Sequence, residues 1–398
     1  MLNEHRLFAR RAIESLRLGV PTMSSVTALP PAQPEIIEAT QRLRRSRGSD
    51  APNGMLLEGD FGSGKSHLLT YLVSEARDDG YATSYVSISK EIPLHRLDLF
   101  YNAAIASLLY PDDRMGGSLS GALECLDRKG MPYDHLRQRL SDGIPIVGAT
   151  VDLFVRSRHN SEVMQWIVDF WDGAPLSIYE FRRYARGVIP DIQALRRPTS
   201  ADLALGRFEA TAALLAAAGC KGWLIVADEL ELIAKFTTLS RMKSYATIGA
   251  LFGNASQTFP RFVGGLTPDF RTAVFEYRND LVEIQEYQAR LSPALSIAQG
   301  TAFLNAPANR FPLRPLSQLD LGRAAESIRQ VYRVAFAMDS LSEIRDSDIH
   351  SGQRLRTLVR KWITQWDIEL VYGRPVEILT HALDHDLSED QAFDEGSL

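Results

Sequence analysis

Residues 56–69, LLEGDFGSGKSHLL, combine a glycine-rich loop with a lysine and a serine that enter a helix-like segment. They fit the pattern G-x-x-x-x-G-K-[ST]. The fixed positions of the pattern are Gly59, Gly64, Lys65 and Ser66, and Gly62 is an additional glycine. Glycines let such a loop curl until its backbone N–H groups point inward and bind an anion. The pattern therefore predicts a phosphate-binding loop, and with it nucleotide binding.

The residue types of this loop suit the phosphates of ATP and the accompanying magnesium ion. Lys65 is expected to contact the β- and γ-phosphates, and the Ser66 hydroxyl is expected to ligate Mg²⁺. The N-terminus of the following helix adds the positive end of its dipole. We therefore predict ATP and Mg²⁺ as cofactors. The predicted nucleotide-binding residues are Gly59, Asp60, Phe61, Gly62, Ser63, Gly64, Lys65, Ser66 and His67.

A glycine-rich turn that contains a lysine by chance is the alternative interpretation of this loop. The flanking sequence argues against it. The segment MLL at residues 55–57 is typical of the end of a buried strand, and SHLLTYLVSEA at residues 66–76 has the apolar spacing of a helix.

A second pair of candidates follows the apolar run WLIVA at residues 223–227. Asp228 is in the position of a Walker B aspartate, which helps to hold Mg²⁺. Glu229 can orient and deprotonate the water that attacks the γ-phosphate, so the pair predicts hydrolysis rather than phosphate transfer. The alternative is an ordinary strand end whose two acids cap the helix that begins near Leu230.

Two further residues are candidates for contacts with the γ-phosphate. Thr267 ends the apolar run FVGGLT, where additional-strand P-loop ATPases carry a polar side chain between their two Walker motifs. The alternative is that Thr267 only starts a Thr-Pro-Asp turn. Arg374 precedes Pro375 at the predicted start of a helix. It resembles the second-sensor arginine of AAA+ lid domains, and the alternative is an ordinary surface arginine.

These residues require an alternation of strands and helices to position them. Apolar strand-like segments occur at residues 55–57, 81–89, 223–229 and 260–268, and helical patterns separate them. Helices are predicted at residues 5–18, 35–47 and 241–257, through most of 95–218, and after residue 268, whereas 21–34 reads as a polar, proline-containing stretch. Strands that are nearly all apolar indicate a parallel sheet that is covered on both faces.

The predicted fold is therefore an α/β P-loop NTPase of the AAA+ or additional-strand type. We expect three parts: an N-terminal helical element at residues 1–50 that packs near the adenine, an ATPase core at 51–310, and a helical lid at 311–398. A helical insertion at about residues 95–218 interrupts the core. Such an insertion suits a partner surface or a lid.

Composition limits the classes of partner. The chain has 398 residues, 45% of them hydrophobic, and a net charge of −5, which gives no bulk attraction to nucleic acid or to acidic membranes. Its two cysteines, Cys125 and Cys220, are far apart and indicate neither a disulfide framework nor a zinc site. No segment has the length and apolar character of a membrane span. We expect a cytoplasmic protein.

The long insertion offers few candidates for catalytic or binding residues. Trp166, Trp171 and Tyr179 have spacings that are more typical of helix packing than of base stacking. Basic clusters at residues 156–159, 181–186 and 196–197 could meet phosphate groups, although a solvated helical face is the favoured interpretation.

Several of these stretches together resemble one family, the BREX-system ATP-binding proteins BrxD and BrxC. The matching segments are RRAIESLRLGVP, LLEGDFGSGKSHLL, VSISKEIPLH, GWLIVADELELI, FPLRPLS and YGRPVEIL. The resemblance implies an AAA+ ATPase, related to origin-recognition initiators, that acts in prokaryotic defence against phage DNA together with other proteins of a defence operon. The C-terminal segment HDLSEDQAFDEGSL is acidic and polar, so contact with DNA is expected to be indirect or through a complex.

Two other functions remain open from the sequence. A nucleotide-gated switch or scaffold would bind ATP, scarcely hydrolyse it, and act by binding partners. A P-loop kinase would transfer phosphate, but kinases typically lack the acidic pair after the strand. A homo-oligomer is also open, in which Arg241, Arg271 or Arg278 would reach a neighbouring subunit's site, with none favoured singly.

Overall fold

A computed structural model describes residues 2–44, 53–111, 118–126, 131–142, 145–189, 198–256, 259–344 and 354–374. The chain divides into two compact units. The first unit comprises Met1–Ala32, Phe61–His67 and Pro315–Leu398, and the second comprises Gln33–Asp60 and Leu68–Arg314.

One parallel sheet of five strands lies in the second unit. The strands are β1 (Gly54–Glu58), β2 (Ala82–Ser87), β3 (Trp223–Asp228), β4 (Arg261–Leu266) and β5 (Arg310–Pro312). Their spatial order is β2-β3-β4-β1-β5, and all neighbours are parallel. Every residue of β1 and of β3 is buried, as expected for strands that are covered on both faces.

The register brings the carboxyl ends of three strands together. Strand β4 pairs with β1 as far as Glu58↔Leu266 and with β3 as far as Ala227↔Gly264. Because parallel strands end at the same edge of a sheet, the residues that follow β1, β3 and β4 meet at this edge.

Most of the described helices belong to the second unit. They are α3 (Pro34–Arg44), α4 (Lys65–Asp78), whose first turn belongs to the first unit, α5 (Leu97–Ala106), α6 (Leu119–Glu124), α7 (Met131–Asp142), α8 (Pro145–Arg156), α9 (Ser161–Trp171), α10 (Ile178–Ala185), α11 (Ser200–Ala217), α12 (Thr238–Leu251), α13 (Ile284–Gln288) and α14 (Ile297–Asn305). Helices α5 to α11 all lie between β2 and β3 in the chain. The described residues of the segment predicted to be a helical insertion are therefore mostly helical.

The aromatic side chain of Phe208 joins this insertion to the sheet. From α11 its ring lies 5.9 Å from that of Trp223 on β3 and 6.1 Å from that of Phe262 on β4. All three side chains are buried. Large aromatic groups bury much apolar surface, so these contacts fix α11 against the strand that ends in Asp228.

The first unit is a helical cluster with its own core. It contains α1 (Leu2–Leu18), α2 (Met23–Ala28), α15 (Gln318–Phe336) and α16 (Leu355–Tyr372). Ile13, Tyr332, Trp362 and Trp366 are fully buried in that core. Asp367 of α16 accepts hydrogen bonds from Arg17 of α1, at 2.7 Å, and from the Tyr332 hydroxyl of α15, at 2.8 Å, so it connects the three longest helices of this unit.

Two short elements are absent from the sequence prediction. Strand β5 lies in a region that we predicted to be helical. It has three residues and ends in a proline, so its apolar pattern is too short to detect. Helix α2 lies in the stretch that we predicted to be irregular. Thr22 and Ser25 form a capping box at its start, and this local signal outweighs the neighbouring prolines.

Candidate functional site

The loop at residues 59–64 connects β1 to α4. The Gly59 N–H donates to the Leu266 carbonyl at 3.1 Å, so the loop begins at the shared edge of β1 and β4. Gly62 and Gly64 have φ angles of 76° and 98°. These angles lie in the left-handed region that glycine occupies without steric cost. The two glycines therefore let the chain turn sharply into α4.

Lys65 begins α4, with Ser66 and His67 after it. Lys65 is buried, and its ammonium lies 5.2 Å from the centre of the half-exposed Phe61 ring. The Ser63 hydroxyl is buried and has no hydrogen-bond partner in the described part of the chain. The first N–H groups of any helix also lack partners within the helix. A hydroxyl and amides that need acceptors fit the phosphate oxygens of a nucleotide.

His67 fixes the first turn of α4 from another side. Its Nε2 donates to the Leu29 carbonyl at 2.7 Å, and burial lowers the pKa of the imidazole, although this hydrogen bond opposes the shift. His67 is therefore neutral near pH 7. This contact joins the first turn of α4 to the segment after α2, both within the first unit.

Asp228 is the last residue of β3, and its carboxylate is held at both oxygens. The Tyr85 hydroxyl of β2 donates to Oδ2 at 2.7 Å, and the Glu229 N–H donates to Oδ1 at 2.9 Å. The side chain is almost fully buried. A buried carboxylate needs such partners, because an unpaired charge in the interior is costly.

Gly265 on β4 leaves the room that the carboxylate occupies. A Cβ at this position would lie 2.6 Å from Oδ1 of Asp228 and 2.9 Å from a methyl group of Leu69. Both distances are shorter than van der Waals contact. Any larger residue would therefore displace the carboxylate or α4.

Glu229 has an unusual backbone conformation for a residue with a side chain. Its φ and ψ are 62° and 32°, and the 3₁₀ segment Leu230–Lys235 follows. A left-handed non-glycine residue costs about 1–3 kcal/mol, and such strain is concentrated at functional sites. The Glu229 side chain makes no capping hydrogen bond to this segment. The hydrogen bonding therefore gives no support to the capping interpretation.

Thr267 follows β4 and is buried. Its carbonyl accepts from the Phe270 N–H at 3.2 Å, so the residue also begins a turn. Gly59, Asp228, Glu229 and Thr267 all lie at one edge of the sheet in the second unit. Arg374 lies in the first unit, exposed at the end of α16, and the helix predicted to begin at Pro375 is outside the described residues.

The candidate arginines for a neighbouring subunit have different environments. Arg241 is wrong as a candidate, because it is buried and forms an ion pair with Asp280, whose carboxylate also accepts from the Tyr245 hydroxyl at 2.6 Å. Arg271 is partly buried, and its Nε lies 3.9 Å from Glu58. Arg278 is exposed. Breaking a buried ion pair leaves an uncompensated charge and is costly, so Arg241 is not available to extend to another molecule.

Sequence reasoning missed Tyr85 and Gly265. A tyrosine within a strand carries no signal of its partner, and the pairing of β2 with β3 joins segments that are far apart in the chain. Gly265 had one available signal, because an isolated glycine inside a strand pattern suggests a close approach by another group.

We expect the substitutions Tyr85→Phe and Asp228→Asn to be coupled in their effects on stability. Tyr85→Phe removes a hydrogen bond to a charged group, which costs roughly 1.5–3 kcal/mol of unfolding free energy. In the Asp228→Asn background the loss should be smaller, with a coupling energy of about 0.5–3 kcal/mol. Urea denaturation of the four proteins in this cycle measures it. Additive effects of the two substitutions would show that the hydroxyl does not hold the carboxylate.

In the part of the chain that the structure describes, no helix is long and apolar enough to cross a membrane. The family model described as BREX system ATP-binding protein BrxC/D matches residues 39–126 and 195–366. These ranges include the loop before α4, all five strands, and both Asp228 and Glu229. The unmatched residues between them lie within the helical insertion. No curated protein matches the chain.

Proposed function

The chain belongs to the BREX system ATP-binding protein BrxC/D family, and on this premise we propose that it is a Mg²⁺-dependent ATPase of the AAA+ type. We propose further that it acts with other proteins of a BREX-like defence complex on DNA. Membership of this family supports a role in ATP binding. The proposal adds hydrolysis, the metal ion and the residues that carry out the reaction.

The order of the strands supports the P-loop fold. Strand β1, which leads into the glycine-rich loop, and β3, which ends in Asp228, are separated by β4. A strand inserted between these two is what the additional-strand class of P-loop ATPases requires. Thr267 at the end of that inserted strand is our candidate for contact with the γ-phosphate.

Each residue of the site has a proposed role. Backbone N–H groups of residues 59–64 and the Lys65 ammonium bind the phosphates, and Ser66 and Asp228 hold Mg²⁺. The bound metal ion would neutralise charge on the phosphate oxygens. Glu229 orients the attacking water and accepts its proton. Tyr85 and Gly265 act on Asp228 by fixing the position of its carboxylate.

The observation that carries the proposal is the left-handed conformation of Glu229 directly after the buried Asp228. Only the surrounding structure can maintain this strain, since the chain gains nothing locally from it. A capping residue would not need such a conformation. An acid held in a strained conformation directly after the proposed metal ligand is what we expect of a general base at this edge.

We also propose the three parts of the chain, with an N-terminal element at residues 1–50, a core at 51–310 and a lid at 311–398. In AAA+ proteins these parts enclose the nucleotide. Arg374 is the lid residue that the sequence pattern indicates as a candidate for contact with the γ-phosphate.

Phosphate release from ATP by the purified chain tests the proposed function. We expect Mg²⁺-dependent turnover, measured with and without duplex DNA and the other operon proteins, together with gel filtration with and without ATP. ATP binding without turnover under all these conditions would support the switch or scaffold instead. Transfer of phosphate to an added acceptor would support a kinase.

The isolated chain should bind duplex DNA weakly. Its net charge is −5, and in the insertion Arg183 is already paired with Glu162 at 3.0 Å. We expect dissociation constants of roughly 10⁻⁴–10⁻⁶ M at physiological salt, with a strong loss of affinity as salt rises. Fluorescence anisotropy at two salt concentrations measures both. Nanomolar binding that is insensitive to salt would contradict this prediction.

A further inference from the structure

The N-terminal end of α16 contacts the glycine-rich loop within the first unit. The Arg356 N–H approaches the Gly62 carbonyl at 3.4 Å. A Cβ on Gly62 would lie 3.1 Å from Cδ of Arg354 and 3.3 Å from its Cβ. A Cβ on Gly64 would lie 3.5 Å from a methyl group of Leu355. The N-cap residue Arg354 and the first two residues of α16, Leu355 and Arg356, therefore lie along the loop.

The absence of a side chain at Gly62 lets the Arg354 stem lie close to the loop backbone. Arg354 precedes α16 as its N-cap residue and makes no side-chain capping hydrogen bond. The guanidinium begins one bond beyond Cδ, so its charge lies beside the loop that binds phosphate in our proposal. The residue is exposed, which leaves room for the guanidinium to turn toward a ligand.

The position of Arg354 is set by the packing of α16 in the core of the first unit. Helix α16 is anchored by Trp362 and Trp366, which are fully buried in the core of the first unit. Farther along the helix, Asp367 accepts a hydrogen bond from Arg17 of α1 at 2.7 Å. The start of α16 is therefore held in one place relative to α1 and to the loop, all within this unit.

Arg374 lies at the opposite end of the same helix. Helix α16 has 18 residues, so its two ends are about 27 Å apart. That distance is far beyond the length of one arginine side chain. The start of α16 contacts the glycine-rich loop, so Arg374, beyond the other end of the helix, is too far away to contact it.

We propose that Arg354, rather than Arg374, is the positioning residue that α16 supplies to the terminal phosphate of ATP. The inference rests on the proposed function, because it requires ATP in the loop. An arginine suits this task, since its planar guanidinium can donate two parallel hydrogen bonds to phosphate oxygens. ADP lacks the phosphate that this group would bind, so Arg354 makes the site prefer ATP over ADP.

Affinities for ATP and ADP analogues that carry a fluorophore, measured by anisotropy with Mg²⁺, test the proposal without any need for turnover. Arg354→Ala should weaken ATP binding by roughly 10- to 100-fold, as expected for one charge-assisted contact, and ADP binding by less than about 3-fold. Arg354→Met keeps the aliphatic stem over Gly62 and removes only the charge. It should give the same result if Arg354→Ala folds poorly.

Arg360→Ala is the matched control, because it removes a charge from the same helix at a residue that contacts Leu18 and Gly19 instead of the loop. It should leave both affinities within about 2-fold of the parent, as expected for a surface change. Equal losses of ATP and ADP affinity in Arg354→Met would reduce Arg354 to a structural contact and overturn the proposal. Loss of ATP preference in Arg374→Ala alone would also overturn it. A parent protein that binds neither nucleotide would instead refute the proposed function.

Discussion

Replacement of Glu229 with glutamine is expected to lower the rate of ATP hydrolysis by roughly 10²- to 10⁴-fold, the usual contribution of a positioned acid–base group. The amide keeps the size of the side chain and most of its hydrogen bonding but cannot accept the proton of the attacking water. ATP should still bind, because the phosphate-binding residues 59–66 are unchanged. Any assembly that ATP stabilises should therefore become long-lived.

Steady-state phosphate release and binding of a fluorescent nucleotide, measured on the same variant, separate catalysis from binding. Asp228→Asn is the comparison, since a change at the proposed metal ligand should weaken the Mg²⁺ dependence itself. If Glu229→Gln hydrolyses ATP at the parent rate, Glu229 is not the base. The strained conformation would then need another explanation, and the switch and kinase functions would be favoured over the ATPase.

Replacement of Lys65 with alanine is expected to abolish nucleotide binding. Lys65 is buried at the first position of α4, where its ammonium lies over the Phe61 ring. Alanine there keeps the backbone amides of the loop but removes the charge that binds the β- and γ-phosphates. Phe61 would also lose its cationic partner, a contact of about 0.5–1 kcal/mol at an exposed site.

Calorimetric titration with ATP measures this effect. Lys221→Ala is the control, because Lys221 is an exposed lysine before β3 and has no role in the proposed site. Circular dichroism shows whether Lys65→Ala remains folded. A folded Lys65→Ala variant that binds ATP with the parent affinity would refute the assignment of this loop.

Local patterns in the sequence predict much of the sheet. The apolar runs at residues 55–57, 223–229 and 260–268 correspond to β1, β3 and β4 in the structure. The glycine-rich pattern lies between a strand and a helix, as predicted. Each of these signals is contained within about ten residues, and short apolar runs bounded by turn residues are typical of buried strands. The helical content of the insertion is predicted by the same kind of local periodicity.

Features that depend on pairing between distant segments could not be predicted. The hydrogen bond from Tyr85 to Asp228 exists because β2 pairs with β3 in one register. The contact between Arg354 and Gly62 depends on the position of α16, which its buried tryptophans determine. The left-handed angle of Glu229 is also invisible in the sequence, because glutamate rarely adopts it.

The order of the strands also has a consequence for synthesis of the chain on the ribosome. Strand β1 ends at Glu58, but its two neighbours begin only at Arg261 and Arg310. At about 5–20 residues per second, β1 waits roughly 10–40 s before its first neighbour, β4, is made. During this interval a strand that is fully buried in the native sheet has no partner, and such unpaired strands are prone to aggregate. The nascent chain is therefore a strong candidate for protection by chaperones until β4 emerges.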